Sequence, residues 1–288
     1  MSEQSEIRDV SDTALWVAHY RAEESARPDA MFHDPLAKLL VGERGAAIAR
    51  AWSKGRYTAW SVVTRTVLID EYVLRAVHSG VDAVVNLGAG LDTRPYRLEL
   101  PASLEWVEAD FPHLIDYKEN ILRGHTPRCA LARVGVDLSD SAARRSFLAS
   151  VATGARNILV ITEGVVPYLS EAQVTELAAD LRAEPRFTGW VAEYFSPRAY
   201  RYLKAVGRSA RLRNAPFQFF PQDWDRFFLE RGWMRKEIHY NSEIAQRFHR
   251  RPPMPWWAGI LLRFANQEAL EQMRTNVGYM LLAPRPDQ

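Results

Sequence analysis

Apolar positions recur at helical spacing through the first quarter of the chain, then give way to short continuous apolar runs. Ser11 and Asp12 are good N-cap residues, and Thr13 to Ser25 contains no Gly or Pro, which predicts a first helix. Asp34-Pro35 is a second start signal, a cap followed by proline in the first turn, leading into LAKLLVGERGAAIARAW. A third helix is expected from about Tyr57 to His78. There Trp60, Val63, Val67, Tyr72, Val73, Ala76 and Val77 recur at helical spacing, and Gly80 is placed to end the helix.

Beyond this point DAVVNLG (82–88), LEWVEAD (104–110), LARVGVD (131–137), NILVITE (157–163) and TGWVAEYF (188–195) read as strands. Helices fall between them, at His113 to Leu122, Ser141 to Val151 and Ser170 to Ala183. Near-continuous apolar strands joined by helices imply a parallel sheet covered on both faces. After the fifth strand the alternation breaks into a basic stretch, PRAYRYLKAVGRSARLR, and an aromatic-rich one, APFQFFPQDWDRFF. The sheet is expected to resume with WMRKEIHY (233–240) and to close with VGYMLLA (277–283). The predicted architecture is one doubly wound α/β domain over residues 1–288 with a seven-stranded sheet. It divides into a helical cap (1–80), a core (81–195), a lid inserted after strand 5 (196–226) and the end of the core sheet (227–288).

Composition narrows the class without naming a function. The 288 residues are 47% hydrophobic and 25% charged, close to the globular average, so disorder, collagen-like repeats and coiled coil fit poorly. The single cysteine, Cys129, permits no intramolecular disulfide and no cysteine-based zinc cluster. MSEQSEIRDVSD is polar and no apolar run reaches the roughly 18 residues of a membrane span, so a cytoplasmic protein is expected. Lysine supplies five of the 37 basic residues, an arginine bias that genome composition alone could produce. A net charge of +2 gives no reason to expect nucleic acid as a partner. Histidines and carboxylates show no metal-ligand spacing, and no metal is expected.

NLGAGLDTR (86–94) is the most informative segment, because it follows a predicted strand and leads into a helix. Gly88 and Gly90 would let the backbone turn tightly and approach a ligand. Thr93 occupies the position where a dinucleotide fingerprint wants a third glycine, which disfavours an NAD-dependent dehydrogenase; no GK[ST] follows, which excludes a P-loop. An acidic residue closing the second strand would hold ribose hydroxyls. Asp110 lies 20 residues after Gly90 and fits, with Glu108 as the runner-up. The third and fourth strands end in Asp137-Leu138 and in TEGVVPYL, which contains Glu163. Each carboxylate alone reads equally well as a helix cap or a solvated loop charge. Three at successive strand ends suit a ligand carrying ribose, amine and positive charge.

NLGAGLDTR, EADFP, VDL and ITEGVVPYL, in this order and spacing, resemble the leucine carboxyl methyltransferase family. The resemblance runs from about Thr13 to about Tyr194 and includes TRTVLID (64–70). It implies a Rossmann-like class I methyltransferase fold and S-adenosyl-L-methionine as cofactor. Carried over by motif, Gly88 and Gly90 would lie under the methionine part and Asp110 would take the ribose hydroxyls. Asp137 and Leu138 would hold the adenine, Glu163 would meet the methionine amino group, and Arg65 would reach the methionine carboxylate. The family also places a basic residue of the first helix near that carboxylate, for which Arg21 is the best candidate.

The resemblance implies an O-methyltransferase acting on a carboxylate or hydroxyl of a small molecule, in secondary metabolism. Methylation of a protein C-terminal carboxyl and a non-catalytic cofactor-binding or scaffolding role are the alternatives. A carboxylate acceptor needs no general base, whereas a hydroxyl would benefit by about 10²–10⁴-fold. Candidate bases are His113, Tyr168 and Tyr194, each equally readable as a packing residue. In the lid, Arg198, Arg201, Lys204, Arg208 and Arg211 recur every three or four residues and would form either a solvated face or a basic rim for an anionic acceptor. Phe217, Phe219, Phe220, Trp224, Phe227 and Phe228 suit an aromatic pocket wall or the packing of the lid. RRPPMPWWAGILLRF (250–264) reads as a substrate wall, a dimer patch or a cover for the last strands, and monomer and homodimer remain equally open.

Overall fold

The computed structural model describes residues 10–51, 56–201, 216–254, 257 and 264–286. Three helices come first: α1 (Val10–Ser25), α2 (Pro35–Ala51) and α3 (Arg56–His78). The alternating part follows as β1 (Ala83–Leu87), α4 (Arg94–Arg97), β2 (Glu105–Asp110), α5 (Pro112–Leu122), β3 (Ala130–Gly135), α6 (Ser141–Ala152) and β4 (Ile158–Thr162). A 3₁₀ turn (Val166–Tyr168), α7 (Glu171–Ala183) and β5 (Phe187–Phe195) complete it. The chain closes with α8 (Trp224–Leu229), β6 (Trp233–Tyr240), α9 (Asn241–Arg247), α10 (Gln267–Arg274) and β7 (Val277–Pro284).

The strands form one seven-stranded sheet in the order β3-β2-β1-β4-β5-β7-β6. β1 pairs in parallel with β2 and β4, β2 with β3, and β4 with β5. β7 is antiparallel to both β5 and β6, so the sheet is mixed where the apolar runs predicted a parallel one. A strand buried on both faces has the same continuous apolar pattern in either direction, so VGYMLLA carries no mark of its reversal. Strand order reverses between β1 and β4, and the carboxyl ends on either side of that switch flank the crevice where open α/β sheets bind ligands.

Side chains alternate across the sheet and give it two apolar layers. Val84, Leu159, Ile161 and Val191 face α3 and meet its Val67, Leu68, Tyr72 and Val73. α3 is therefore a layer of the core as well as part of the predicted cap. Val85, Val160 and Trp190 face the other way, onto Phe147 and Leu148 of α6, Leu177 and Leu181 of α7, and Phe228 of α8. α7 starts where the sequence predicts, at a capping box in which Ser170 and Gln173 satisfy each other's backbone donors. A third cluster ties α1 and α2 to Leu91 and Leu114, which lays the first helices across the carboxyl end of β1.

Candidate functional site

A cavity of about 440 Å³ lies over the switch between β1 and β4, inside the roughly 300–1,000 Å³ range of small-molecule sites. The strand ends make its floor: Asn86 and the glycine turn after β1, Asp110 at the end of β2, Val136 to Ser139 after β3, and Glu163 to Val165 after β4. α1, α3, the 3₁₀ turn and residues 217–218 of the predicted lid cover it.

Gly88 and Gly90 both have positive φ, 65° and 48°. A Cβ on Gly88 would stand 2.4 Å from Val165 Cγ2, and one on Gly90 would stand 3.2 Å from Ala14 Cβ. The turn is tied to β2 by Gly88 N donating to Ala109 O at 2.8 Å and Gly90 N donating to Asp110 Oδ2 at 2.6 Å. Phe111 N donates to the other Asp110 oxygen at 2.7 Å. Burial raises the Asp110 carboxyl above its ordinary value, against these two backbone donors. Gly88→Ala should therefore cost about 1–3 kcal/mol, through the left-handed backbone and the Val165 contact. Urea denaturation checks this, with Gly88→Ala/Val165→Ala recovering the part due to contact; a neutral Gly88→Ala would refute the close approach.

Behind the turn lies a buried ionic network that the sequence reading did not assign. Arg94, 1% exposed, holds Asp70 Oδ1 at 2.7 Å, Asp92 Oδ2 at 2.8 Å and Glu163 Oε2 at 2.7 Å. Arg97 binds both oxygens of Asp70, at 2.6 and 2.7 Å. Arg65 Nε lies 2.8 Å from Glu163 Oε1, so Glu163 is shared by two guanidinium groups. Burial alone would raise Glu163; Arg94 and Arg65 outweigh it and hold its carboxyl below the usual range. One signal was available. Asp70 sits three residues from both Val67 and Val73 on the apolar face of the third helix, and a carboxylate there demands a buried cation.

Glu193, at the end of β5, was not assigned either. It is 2% exposed, its Oε1 accepts from Gly164 N, and its Oε2 has no hydrogen-bond partner among the described residues. Burial pushes its carboxyl up to about 7. Glu108, the runner-up for the ribose role, is outside the cavity lining. Its Oε2 lies 2.8 Å from both Lys118 Nζ and Arg133 Nε in the interior.

The structure brings together most of the sequence candidates. Arg21, Arg65, Gly88, Gly90, Asp110, Asp137, Leu138 and Glu163 all line the cavity, as do Tyr168 and Phe217. Arg21 donates to Leu91 O at 2.5 Å and lies 3.5 Å from Asp34 and 3.8 Å from Asp92, so its charge is met within the protein. Asp137 accepts from Ser139 N and Oγ at 2.9 and 2.7 Å.

Other candidates fall elsewhere. His113 is exposed and stacked on Phe111, and Tyr194 packs against Trp224 and Tyr240. Arg198 and Arg201 are exposed and outside the cavity lining, so they form no rim to it. Trp224 is 4% exposed in the core, with Nε1 bonded to Phe195 O, and Phe220 packs on the same cluster against Tyr200. Neither ring is a cavity wall, because the start of α8 is pressed onto the sheet. Phe219, Phe227 and Phe228 are core residues too. Lys204, Arg208 and Arg211 lie outside the described residues, as does much of 250–264. Among the described residues no helix is long and apolar enough to cross a membrane, and no group of three or more His, Cys, Asp or Glu could hold a metal.

A parallel sheet switching between β1 and β4, a reversed β7, and carboxylates at successive strand ends define the class I methyltransferase fold. Two crystal structures share it. One, a “putative methyltransferase” from Thermobifida fusca, superposes with a TM-score of 0.58 at 17% identity over 86% of this chain and 93% of its own. The other, a DUF574 family protein from Streptomyces avermitilis, gives 0.53 at 18% identity over 93% and 97%.

The profile of the leucine carboxyl methyltransferase family matches residues 14–182, more than half of the chain. A Frankia alni relative, named a “Putative S-adenosyl-L-methionine-dependent methyltransferase”, is 30% identical over 275 residues, 91% of this chain and 96% of its own. A Mycobacterium tuberculosis relative of the same description is 38% identical over 176 residues, so the match spans only 56% of either chain. The chain belongs to the leucine carboxyl methyltransferase family.

Proposed function

We propose that this chain is an S-adenosyl-L-methionine-dependent methyltransferase that methylates an oxygen of a small molecule, with a carboxylate favoured over a hydroxyl. The observation that carries the cofactor reading is Asp110. Its carboxylate ends β2 inside the cavity, each oxygen steadied by one backbone N–H, beside a turn where a Cβ on Gly88 would strike Val165. A buried carboxylate with lone pairs left over suits paired hydroxyls, and the bare Gly88 suits a ligand pressed onto the backbone. Asp137 and Leu138 line the cavity and would take a flat base, while Arg65 and Glu163, side by side, would take a carboxylate and an ammonium.

Bound here, the cofactor would supply an electrophilic methyl group on a sulfonium. The protein's contribution is then orientation and exclusion of water, worth up to about 7–11 kcal/mol for a well-aligned pair. The cavity offers little to a hydroxyl acceptor. No histidine lines it among the described residues, and burial raises the Tyr168 hydroxyl, which is bonded to the Thr13 side chain. A carboxylate arrives ionised at neutral pH and needs no base. A small acceptor for secondary metabolism is favoured over a protein C-terminus by the cover that α1, the 3₁₀ turn and residues 217–218 place on the cavity.

S-adenosylhomocysteine at 100 times its dissociation constant should stabilise the protein by about 2.7 kcal/mol. Asp110→Asn should weaken its binding by about 10–100-fold, the loss of charge-assisted hydrogen bonds. Calorimetry reads both. No binding by the wild type, or unchanged affinity in Asp110→Asn, refutes the cofactor assignment.

A further inference from the structure

We infer that the acceptor end of this cavity is built for a planar, apolar body bearing a single anionic group, and that Phe217 selects it. The inference rests on the cofactor reading above, and goes beyond it in naming the class of acceptor.

Among the described residues the charged side chains that line the cavity are Arg21, Arg65, Asp92, Asp110, Asp137 and Glu163, and each has a partner within the protein. Arg65 meets Glu163, Glu163 meets Arg65 and Arg94, and Asp92 meets Arg94 and Asn86. Asp110 takes two backbone donors, Asp137 takes Ser139, and Arg21 takes Leu91 O and the nearby acids. The cover has a different character. Away from Arg21 and Arg65, its surface is mainly Trp16, Val17, Val62, Tyr168 and Phe217, with only neutral polar groups such as the Gln218 amide among them. Among the described residues, a polyanion seated against this cover would lose hydration and find only arginines already paired with acids. Of the basic residues predicted for a rim, Arg198 and Arg201 are exposed and outside the cavity lining, and Lys204, Arg208 and Arg211 lie outside the described residues.

Phe217 is held by the residues that follow it and by its ring. Gln218 N and Phe219 N donate to Pro167 O at 2.7 and 3.3 Å, and Gln218 Nε2 donates to Tyr168 O at 2.8 Å. Phe219 anchors the segment in the core at 1% exposure. The Phe217 ring meets the Tyr168 ring at 5.0 Å and 47°, and Tyr168 is in turn bonded to Thr13 of α1. Three segments distant in sequence therefore fix one aromatic wall before any ligand arrives. A rigid wall of this kind rewards a flat apolar surface, because little ordering entropy is lost on contact.

The test uses three probes with the full chain saturated in S-adenosylhomocysteine: 2-naphthoate, citrate, and a peptide ending in a free leucine carboxylate. Calorimetry should detect 2-naphthoate and neither of the others. Phe217→Ala should weaken 2-naphthoate by about tenfold or more, ~1.4 kcal/mol, leave S-adenosylhomocysteine affinity unchanged, and be partly rescued by Phe217→Tyr. Citrate or peptide binding more tightly than 2-naphthoate overturns the inference, as does 2-naphthoate binding that ignores Phe217→Ala or fails altogether. Loss of S-adenosylhomocysteine binding by the wild type overturns the cofactor reading instead. 2-Naphthoate binding and its dependence on Phe217 are then read without that compound and still decide the acceptor class.

Discussion

Replacing Arg94 with methionine is expected to destabilise the fold by about 3–5 kcal/mol at neutral pH, the cost of stranding buried carboxylates by removing their partner. The side chain is 1% exposed and stands between Asp70, Asp92 and Glu163, all within 2.8 Å of its nitrogens. Methionine fills much of the same space, so the loss isolates charge from volume. Arg97 and Arg65 remain to hold Asp70 and Glu163, which keeps the variant foldable. For a domain of this size the melting temperature should fall by roughly 6–20 °C.

The pH dependence of that loss follows from the acids. In the native protein burial would raise Asp92 and Glu163, but Arg94 and its neighbours hold both below their ordinary values. Such depressed carboxyls contribute stability that is present above their unfolded pKa and lost as pH falls through the folded one. Without Arg94 these acids take up protons at higher pH, so the gap between variant and wild type should narrow below about pH 5. Denaturant midpoints at pH 8 and pH 4 test this. A loss under 1 kcal/mol, or an equal loss at both pH values, would falsify the account. Arg94→Met/Glu163→Gln should recover part of the stability, because one stranded charge is gone.

The elements were legible and their long-range chemistry was not. The third helix was expected from about Tyr57 to His78 and runs over Arg56–His78, because a single apolar face and a closing Gly80 are local signals. The strand predicted at 82–88 is Ala83–Leu87, a run too apolar and too short for anything but a covered strand. Local signals also located the turn at Gly88 and Gly90 and the carboxylates at the ends of β2 and β4, since each is a residue type at a strand terminus. The reversal of β7 and the partners that Arg94 finds in Asp70 and Glu163, 24 and 69 residues away, are long-range; locally, Asp70 signals only that some buried cation is needed. The lid failed for a different reason. Phe217 and Trp224 belong to one aromatic run, yet one lines the cavity and the other is buried against Tyr194, Phe219 and Phe228. A pocket wall and a core are both apolar, so composition cannot separate them.

Glu193 should make the wild type lose stability relative to Glu193→Gln as pH rises from about 4.5 to about 7, by roughly 3 kcal/mol over that window. Burial is the main cause of its raised carboxyl, opposed by the Gly164 N–H and by Arg65, and supported by the negative charge of Glu163. Tyr168 and Tyr279 also face it, from the 3₁₀ turn and from β7. A carboxyl whose folded pKa lies above its unfolded value binds its proton more tightly in the folded state. Its contribution is therefore complete below about 4.5 and has gone once the pH passes about 7. Glutamine keeps an acceptor for Gly164 N and cannot ionise, so the variant should show no such slope. Asp110 and Glu163 titrate in both proteins and cancel in the difference. Urea unfolding of both proteins from pH 4 to pH 8.5 gives that difference directly. Parallel stability curves would mean that Glu193 titrates at its ordinary value, despite its burial beside an ion pair that Arg65 already shares with Glu163.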